Sequence, residues 1–374
     1  MNRSRHNAPL ENAIKKWILA ECGSWYDETY TSIRITTVKQ YRWSRHYLIR
    51  LDGPSGMPFR TVLAKVLRSP GAHERSQGAV RPAMGAIRRE FEALSVLYRS
   101  LGEGAYHGLT AIRPLGFSSA LNLLALEYAP GRDLLSGITH GLHLQAPVCR
   151  LTGVVESIRE AGRLLAVFHR AGHGAYLRCG RFNEVEFLHN LRSEVELVLQ
   201  KVRTNAARER LRRIIKTTPE WRLERDEMIT ISRLHRDYYP DNVVQLPGGE
   251  VYTIDTTMDQ EGPVEDDIAK FIIGAWVTKK ALLLRHGWLN TQALRMIQLE
   301  FLDGYATNGT CNSSILALSV LGSLLRRWLE VYGVLLEKTP RTLADLVIWS
   351  RIEPALVHCL DVIMRDIELE IGHA

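Results

Sequence analysis

Asp237, Asn242 and Asp255 have residue types and spacing that could carry out phosphoryl transfer. Asp237 sits in the run Leu234-His235-Arg236-Asp237-Tyr238-Tyr239-Pro240-Asp241-Asn242, with Asn242 five residues on and Asp255 eighteen residues on. Such chemistry needs one carboxylate to take the proton of an acceptor hydroxyl. It also needs an amide and a second carboxylate to hold a divalent cation on nucleotide phosphates. The residues between them read as a scaffold: Val243-Val244-Gln245-Leu246, a Pro247-Gly248-Gly249 turn, then Val251-Tyr252-Thr253-Ile254. Two short apolar runs around a Pro-Gly-Gly turn predict a hairpin, which returns Asp255 to the neighbourhood of Asn242.

The elements that must position these groups begin upstream. Leu10 to Ala20 reads as a short amphipathic helix, and 31–37, 46–52 and 60–67 as three strands. The third, Thr61-Val62-Leu63-Ala64-Lys65-Val66-Leu67, is apolar apart from its lysine and leading threonine. A buried lysine is costly unless an anion meets it, whereas on an edge strand Lys65 would simply reach solvent. Residues 87–101 have helical periodicity, with Ile87, Phe91, Leu94, Leu97 and Leu101 on one side. Glu90 and Glu92 on that helix point in different directions, so only one of them can serve as the anion. Leu121 to Gly131 reads as an apolar strand ended by Pro130-Gly131.

The segment around Asp237 resembles the protein-kinase-like superfamily, and more closely its aminoglycoside phosphotransferase and choline kinase branch. That branch shows an Asp-x-x-x-x-Asn core, then Ile-Asp, then a later Asp-Leu-Ala, for which this chain has Asp267-Ile268-Ala269. Protein kinases place a lysine two positions after the base aspartate and Phe-Gly after the metal aspartate. Here Tyr239 and Thr256-Thr257 stand instead. The His-Arg-Asp-Tyr-Tyr run also resembles bacterial kinases that act on lipopolysaccharide core sugars.

The resemblance implies an α+β, bilobal protein-kinase-like fold. A small β-sheet lobe with one packed helix (residues 1–128) would precede a larger, mainly helical lobe (129–374), with nucleotide and Mg²⁺ in the cleft. It implies Asp237 as catalytic base, Lys65 on the α/β-phosphates, Glu90 as the partner of Lys65, and Asn242 and Asp255 as Mg²⁺ ligands. It also implies ATP contacts at Ser44, Leu63 and the backbone near Glu127 and Ala129. The phosphate-covering loop fits least: Thr37 to Arg45 contains no glycine, leaving the Ser44 hydroxyl, Lys39, Arg42 and Arg45 to replace amide contacts. An aspartate at position 267 would brace the catalytic loop, with Asp266 as the alternative. A plain helix N-terminal carboxylate is the simpler account.

Beyond residue 129 the chain reads as helical. Ile158, Ala161, Leu164, Leu165 and Phe168 form a stripe ending at His169-Arg170-Ala171-Gly172, where His169 is read as structural. Residues 185–225 read as helical and charged, and Lys201, Arg203, Arg208, Arg210, Arg212 and Arg213 stand there against a single acid, Glu209. Such a run is either a solvated face or a site for the acceptor or an anionic membrane surface. Trp328, Leu329, Tyr332 and Leu335 lie on a core stripe of a helical C-terminal part that runs from Leu294 to the chain end.

Composition agrees with an enzyme of this kind. The 374 residues are 45% hydrophobic with a net charge of +7, and contain no apolar run able to span a membrane. Met1 to His6 is polar, and the five cysteines are odd in number and widely spaced, which predicts reduced thiols in the cytoplasm. The expected acceptor is a small hydroxyl compound, neutral or anionic, since a site for polycations should be lined with carboxylates. A sugar or a glycolipid head group fits, and no nucleic-acid partner is expected. A catalytically weak kinase-like binding protein and a protein kinase are the alternative readings.

Overall fold

The computed structural model describes residues 8–41, 44–55, 57–68, 85–102, 106–141, 149–171, 178–221, 228–256, 258–278, 291–338 and 341–371. Met1 to His6, Arg42, Gly172, 222–225, Thr257 and the last three residues, on which expectations above fall, lie outside them. The chain divides into two units, one of Met1–Tyr106 with Thr110–Pro130, the other of His107–Leu109 with Gly131–Ala374.

The first unit contains α1 (Ala8–Tyr26), β1 (Ser32–Gln40), β2 (Ser44–Asp52), β3 (Arg60–Leu67), α2 (Ala86–Gly102), β4 (Pro114–Ser118) and β5 (Leu123–Glu127). The strands form one antiparallel sheet in the order β1-β2-β3-β5-β4. Strand alternation decides which side chains go where. Tyr47, Ile49 and Leu51 of β2 and Val62, Ala64 and Val66 of β3 pack against Ile14, Ile18, Cys22 and Trp25 of α1. Those four recur every three to four residues, which gives α1 its apolar stripe. Leu63 and Lys65 therefore point to the opposite face, where α2 buries Ile87, Glu90, Ala93, Leu94, Leu97 and Leu101. The expectation of one packed helix is thus enlarged: α1, longer than its sequence reading, covers the second face of the sheet.

The second unit is mainly helical. It comprises β6 (Arg132–Asp133), α3 (Leu134–Gly141), α4 (Cys149–Ala171), β7 (Arg178–Arg181), α5 (Glu184–Leu199), α6 (Asn205–Thr217), β8 (Met228–Arg233), β9 (Val243–Gln245), β10 (Val251–Thr253), β11 (Glu261–Pro263), α7 (Glu265–Trp276), α8 (Thr291–Ala306), α9 (Ser313–Lys338), α10 (Arg341–Val347) and α11 (Glu353–Glu370). Two three-stranded sheets, β10-β9-β6 and β11-β8-β7, punctuate the helices. The backbones of α4 and α8 cross in contact. A Cβ on Gly162 would lie 2.1 Å from the Phe301 carbonyl oxygen, and one on Gly304 would lie 1.9 Å from that of Arg159.

Of the helical, charged stretch expected over 185–225, the described residues form two helices, α5 and α6, and both a local cap and a distant carboxylate set the break between them. Thr204 caps α6 by accepting from the Ala207 N–H at 3.3 Å. Buried Glu353 accepts from the Arg203 and Thr204 N–H groups at 2.5 and 2.6 Å, and also bonds the Tyr332 hydroxyl. Among the described residues no helix is long and apolar enough to cross a membrane.

Candidate active site

β8 leads directly into the Asp237 loop. Leu234 N–H donates to the Gln260 carbonyl at 2.8 Å, extending the β8–β11 pairing up to the loop. Tyr238 then turns inward, fully buried, and its hydroxyl donates to the Ala161 carbonyl of α4 at 2.7 Å. Leu135 N–H of α3 donates to the Pro240 carbonyl at 3.0 Å. These ties leave Asp237 and Tyr239 on either side of an anchored tyrosine.

Asn242 closes the loop. Its amide nitrogen donates to the Asp237 backbone carbonyl and to Asp237 Oδ2, each at 2.8 Å, which directs its own carbonyl oxygen away from Asp237. β9 and β10 pair antiparallel, with Val243 opposite Thr253 and Val251 opposite Gln245. Gly249 takes a left-handed φ of +96° in the turn. The hairpin returns to its origin, since Ile254 N–H donates to the Asn242 carbonyl at 3.1 Å. Asp255 follows immediately with a φ of +61°, an uncommon backbone conformation for aspartate.

A buried carboxylate holds the start of this loop. Asp267, in the first turn of α7, accepts the N–H of His235 at 2.6 Å and the N–H of Arg236 at 2.9 Å. Arg236 has a φ of +70°, a strained state that persists when surrounding bonds over-determine it. His169 at the end of α4 lies between Tyr305 and Asp267, with Nδ1 at 2.9 Å from the tyrosine hydroxyl and Nε2 at 3.3 Å from Asp267 Oδ2. Asp266, the alternative brace, instead accepts from Ser319 Oγ at 3.4 Å. Burial alone would raise the Asp267 pKa. The His169 hydrogen bond and charge, with Lys270 and His235, outweigh it and hold the group near about 2.

His235 has a role beyond the three residues marked by type and spacing. Its Nε2 lies 2.7 Å from Thr253 Oγ1, tying the loop to the hairpin strand. Burial pushes its pKa down to about 4, so the imidazole is neutral at physiological pH. The available signal was Thr253, a polar residue at an inward position of an apolar strand and fully buried.

Asp237 is set apart from an ordinary surface aspartate. Although the residue keeps an open edge to water, the surrounding protein raises its pKa, with the negative charges of Asp255 and Asp241 adding to that. The Asn242 hydrogen bond opposes the rise, and the result is about 6. A carboxylate tuned towards neutrality is a suitable proton acceptor. Among the described residues no group of three or more His, Cys, Asp or Glu could hold a metal. The Asn242 and Asp255 side chains offer a sparse oxygen set, which suits Mg²⁺, a cation that keeps waters and phosphate oxygens as its other ligands.

The remaining sequence-derived residues lie in the first unit. Lys65 Nζ is 2.8 Å from both Glu90 carboxylate oxygens, and the two side chains are only 8% and 6% exposed. Glu92 instead pairs with Arg88 on the exposed side of α2 at 2.7 Å. Ser44 opens β2, buried, and Leu63 is half-buried beside Lys65 on β3. At the end of β5, Glu127 N–H donates to the Arg113 carbonyl at 2.9 Å and Tyr128 N–H to that of Thr61 at 3.0 Å, with half-buried Ala129 following. The structure thus brings Lys65 and Glu90 together in one unit and Asp237, Asn242 and the hairpin leading to Asp255 together in the other.

The basic run divides into paired and solvent-facing members. Arg210 pairs with Asp361 at 2.8 Å and Arg213 with Glu368 at 3.7 Å, both partners on α11. Arg208 donates to the Val202 carbonyl at 3.2 Å. Lys201 and Arg212 remain exposed.

No sequence family and no curated protein matches the chain. Solved structures do. A putative aminoglycoside phosphotransferase from Ralstonia eutropha JMP134 superposes with a TM-score of 0.53 at 15% identity, covering 95% of this chain and 98% of that one. A choline kinase from Cryptosporidium parvum Iowa II gives 0.52 at 11% identity, covering 97% and 98%. A glucosamine kinase in complex with glucosamine, ADP and inorganic phosphate gives 0.50 at 14% identity, covering 94% and 98%. At these identities the likeness establishes the fold, and the α+β, kinase-like architecture is that of these proteins.

Proposed function

We propose that the chain is an ATP-dependent phosphotransferase that moves the γ-phosphate to a hydroxyl of a small molecule. The observation that carries this reading is the hydrogen bond from Asn242 to the Asp237 carboxylate, with Asp255 following across the β9–β10 hairpin. In a kinase-like fold this is the chemistry that phosphoryl transfer requires. Asp237 would orient the acceptor hydroxyl and take its proton. Asn242 and Asp255 would hold Mg²⁺, whose charge neutralises phosphate oxygens as transfer proceeds. Lys65, steadied by Glu90, would neutralise the α/β-phosphates, with Ser44 and Leu63 near the nucleotide and the backbone around Glu127 and Ala129 against the base.

The domain assignment is part of the proposal: residues 1–128 for nucleotide phosphates, 129–374 for the base, the metal and the acceptor. So is a cytoplasmic setting, supported by the free thiols of Cys22, Cys179, Cys311 and Cys359. For the acceptor we favour a neutral or anionic hydroxyl compound, such as a sugar or a glycolipid head group at an anionic membrane surface. The net charge of +7 and the exposed Lys201 and Arg212 support that choice. The ligand of the similar glucosamine kinase supports the sugar class alone, since its amino group makes glucosamine a cation near neutral pH. A panel of sugars, choline, kanamycin-type aminoglycosides and glycolipid head groups, assayed with labelled ATP and Mg²⁺ at low and high salt, tests this. Label on a neutral or anionic acceptor, weakened by salt if anionic, is expected. Polycationic aminoglycosides as the best acceptors would overturn the charge argument.

A further inference from the structure

The hairpin joining β1 and β2 contains no glycine from Thr37 to Arg45. Its last strand pair is Gln40 with Arg45, and the Tyr41 N–H donates to the Ser44 carbonyl at 2.8 Å. That amide is committed inside the hairpin, whereas a glycine-rich turn holds phosphate with amides it leaves open. Among the described residues, side chains at the start of β2 are placed to do the holding. Ser44 is buried, 8% exposed, and its hydroxyl lies 3.1 Å from His46 Nε2. The strand register sets His46 directly across from Lys65. Directly opposed residues of antiparallel strands share a face. Because Tyr47, Ile49 and Leu51 turn into the α1 core, Ser44 and His46 lie on the Lys65 face. The Tyr41 ring packs on the imidazole with centroids 4.5 Å apart, fixing its plane.

Resting on the phosphotransferase reading, we propose that Ser44 and His46 form a side-chain clamp for the nucleotide's terminal phosphates, replacing the amides of a glycine-rich turn. With Nε2 protonated, His46 donates to Ser44 Oγ. The hydroxyl then keeps its own hydrogen for a phosphate oxygen, since a serine has one donor and two acceptor lone pairs. Lys65 supplies the positive charge from the neighbouring strand. Ser44 touches the phosphate, and His46 is a positioning residue that acts through it.

Calorimetric binding of ATP, ADP and AMP, each with Mg²⁺, to the full-length chain tests the clamp without knowledge of the acceptor. Ser44→Ala and His46→Ala are each expected to weaken ATP binding about tenfold, the loss of one hydrogen bond to a charged group. AMP binding should stay unchanged, and His46→Gln, which keeps an N–H donor, should recover most of the ATP affinity. If His46→Ala does not fold, Ser44→Ala and His46→Gln decide the matter. Wild-type ATP affinity in Ser44→Ala, or equal losses for ATP and AMP, would overturn the clamp while leaving the phosphotransferase reading intact, provided Lys65→Met still weakens ATP. Absence of nucleotide binding by the wild type would sink both.

Discussion

Asn242 donates one side-chain amide to both the backbone carbonyl and the carboxylate of Asp237 at 2.8 Å, so the proposed metal ligand also aims the proposed base. The two roles can be separated by experiment. Asn242→Ala is expected to raise the Mg²⁺ concentration needed for half-maximal activity and also to lower kcat, because the base loses its anchor. Asp255→Asn should raise the Mg²⁺ requirement and weaken Mg-ATP binding. Mg²⁺ titrations of activity and of ATP binding check both. A wild-type Mg²⁺ requirement in either variant would remove that residue from the metal site.

The Asp237 pKa gives a signed pH dependence. A base must be deprotonated, so kcat/KM should rise with pH through about 6 and then level off. Stability should run the other way. The folded-state pKa is raised above the ordinary value of 3.8, so the native state holds more protons than the unfolded state across roughly pH 4 to 6. This contribution is present below the unfolded value and is lost as pH rises through about 6. Asp237→Asn should therefore melt higher than wild type at pH 7.5, with the difference shrinking towards pH 4.5. A constant difference across that range would show that Asp237 does not titrate as described.

The Lys65–Glu90 pair is buried, and removing one partner strands a charge, at about 3–5 kcal/mol. Glu90→Leu alone should therefore destabilise the first unit strongly. Lys65→Met with Glu90→Leu should restore most of the stability but not ATP affinity. Denaturant melts and calorimetry on the two variants check this. Recovery of both stability and ATP affinity in the double variant would make the pair purely structural.

Asp267 should behave as a positioning residue. Each N–H donated to a charged acceptor contributes about 1.5–3 kcal/mol, and Asp267→Ala removes two such acceptors from His235 and Arg236. Amide exchange at His235 and Arg236 should accelerate, and kcat should fall more than ATP affinity. Unchanged protection of those two amides would contradict the bracing geometry.

Local signals in the sequence were enough to read the β9–β10 hairpin, because Pro247-Gly248-Gly249 separates two short apolar runs and Gly249 meets the positive-φ demand of the turn. The strands 60–67 and 46–52 were legible from composition and alternation. Contacts between distant segments were not. The pairing of Arg210 and Arg213 with Asp361 and Glu368 spans most of the second unit, so the basic run looked wholly unpaired. The break between α5 and α6 depends on Glu353, which reaches Arg203 from far along the chain. β4 escaped notice because Pro114 and Gly116 are poor strand residues and only pairing with β5 holds them extended. Within the site, residue types and spacing marked Asp237, Asn242 and Asp255, whereas the polar Thr253 in an apolar strand signals a buried bond without naming its partner His235, eighteen residues away.

The most direct test compares wild type with Asp237→Asn in two parallel measurements: transfer of the γ-phosphate from labelled ATP to the best small-molecule acceptor, and calorimetric binding of Mg-ATP. Losing the general base should lower kcat by about 10²–10⁴-fold. Mg-ATP binding should stay within a few-fold of wild type, because Asp237 acts on the acceptor. Wild-type turnover in Asp237→Asn, or a loss of Mg-ATP binding that accounts for the whole drop in rate, would contradict the assignment of Asp237 as the base.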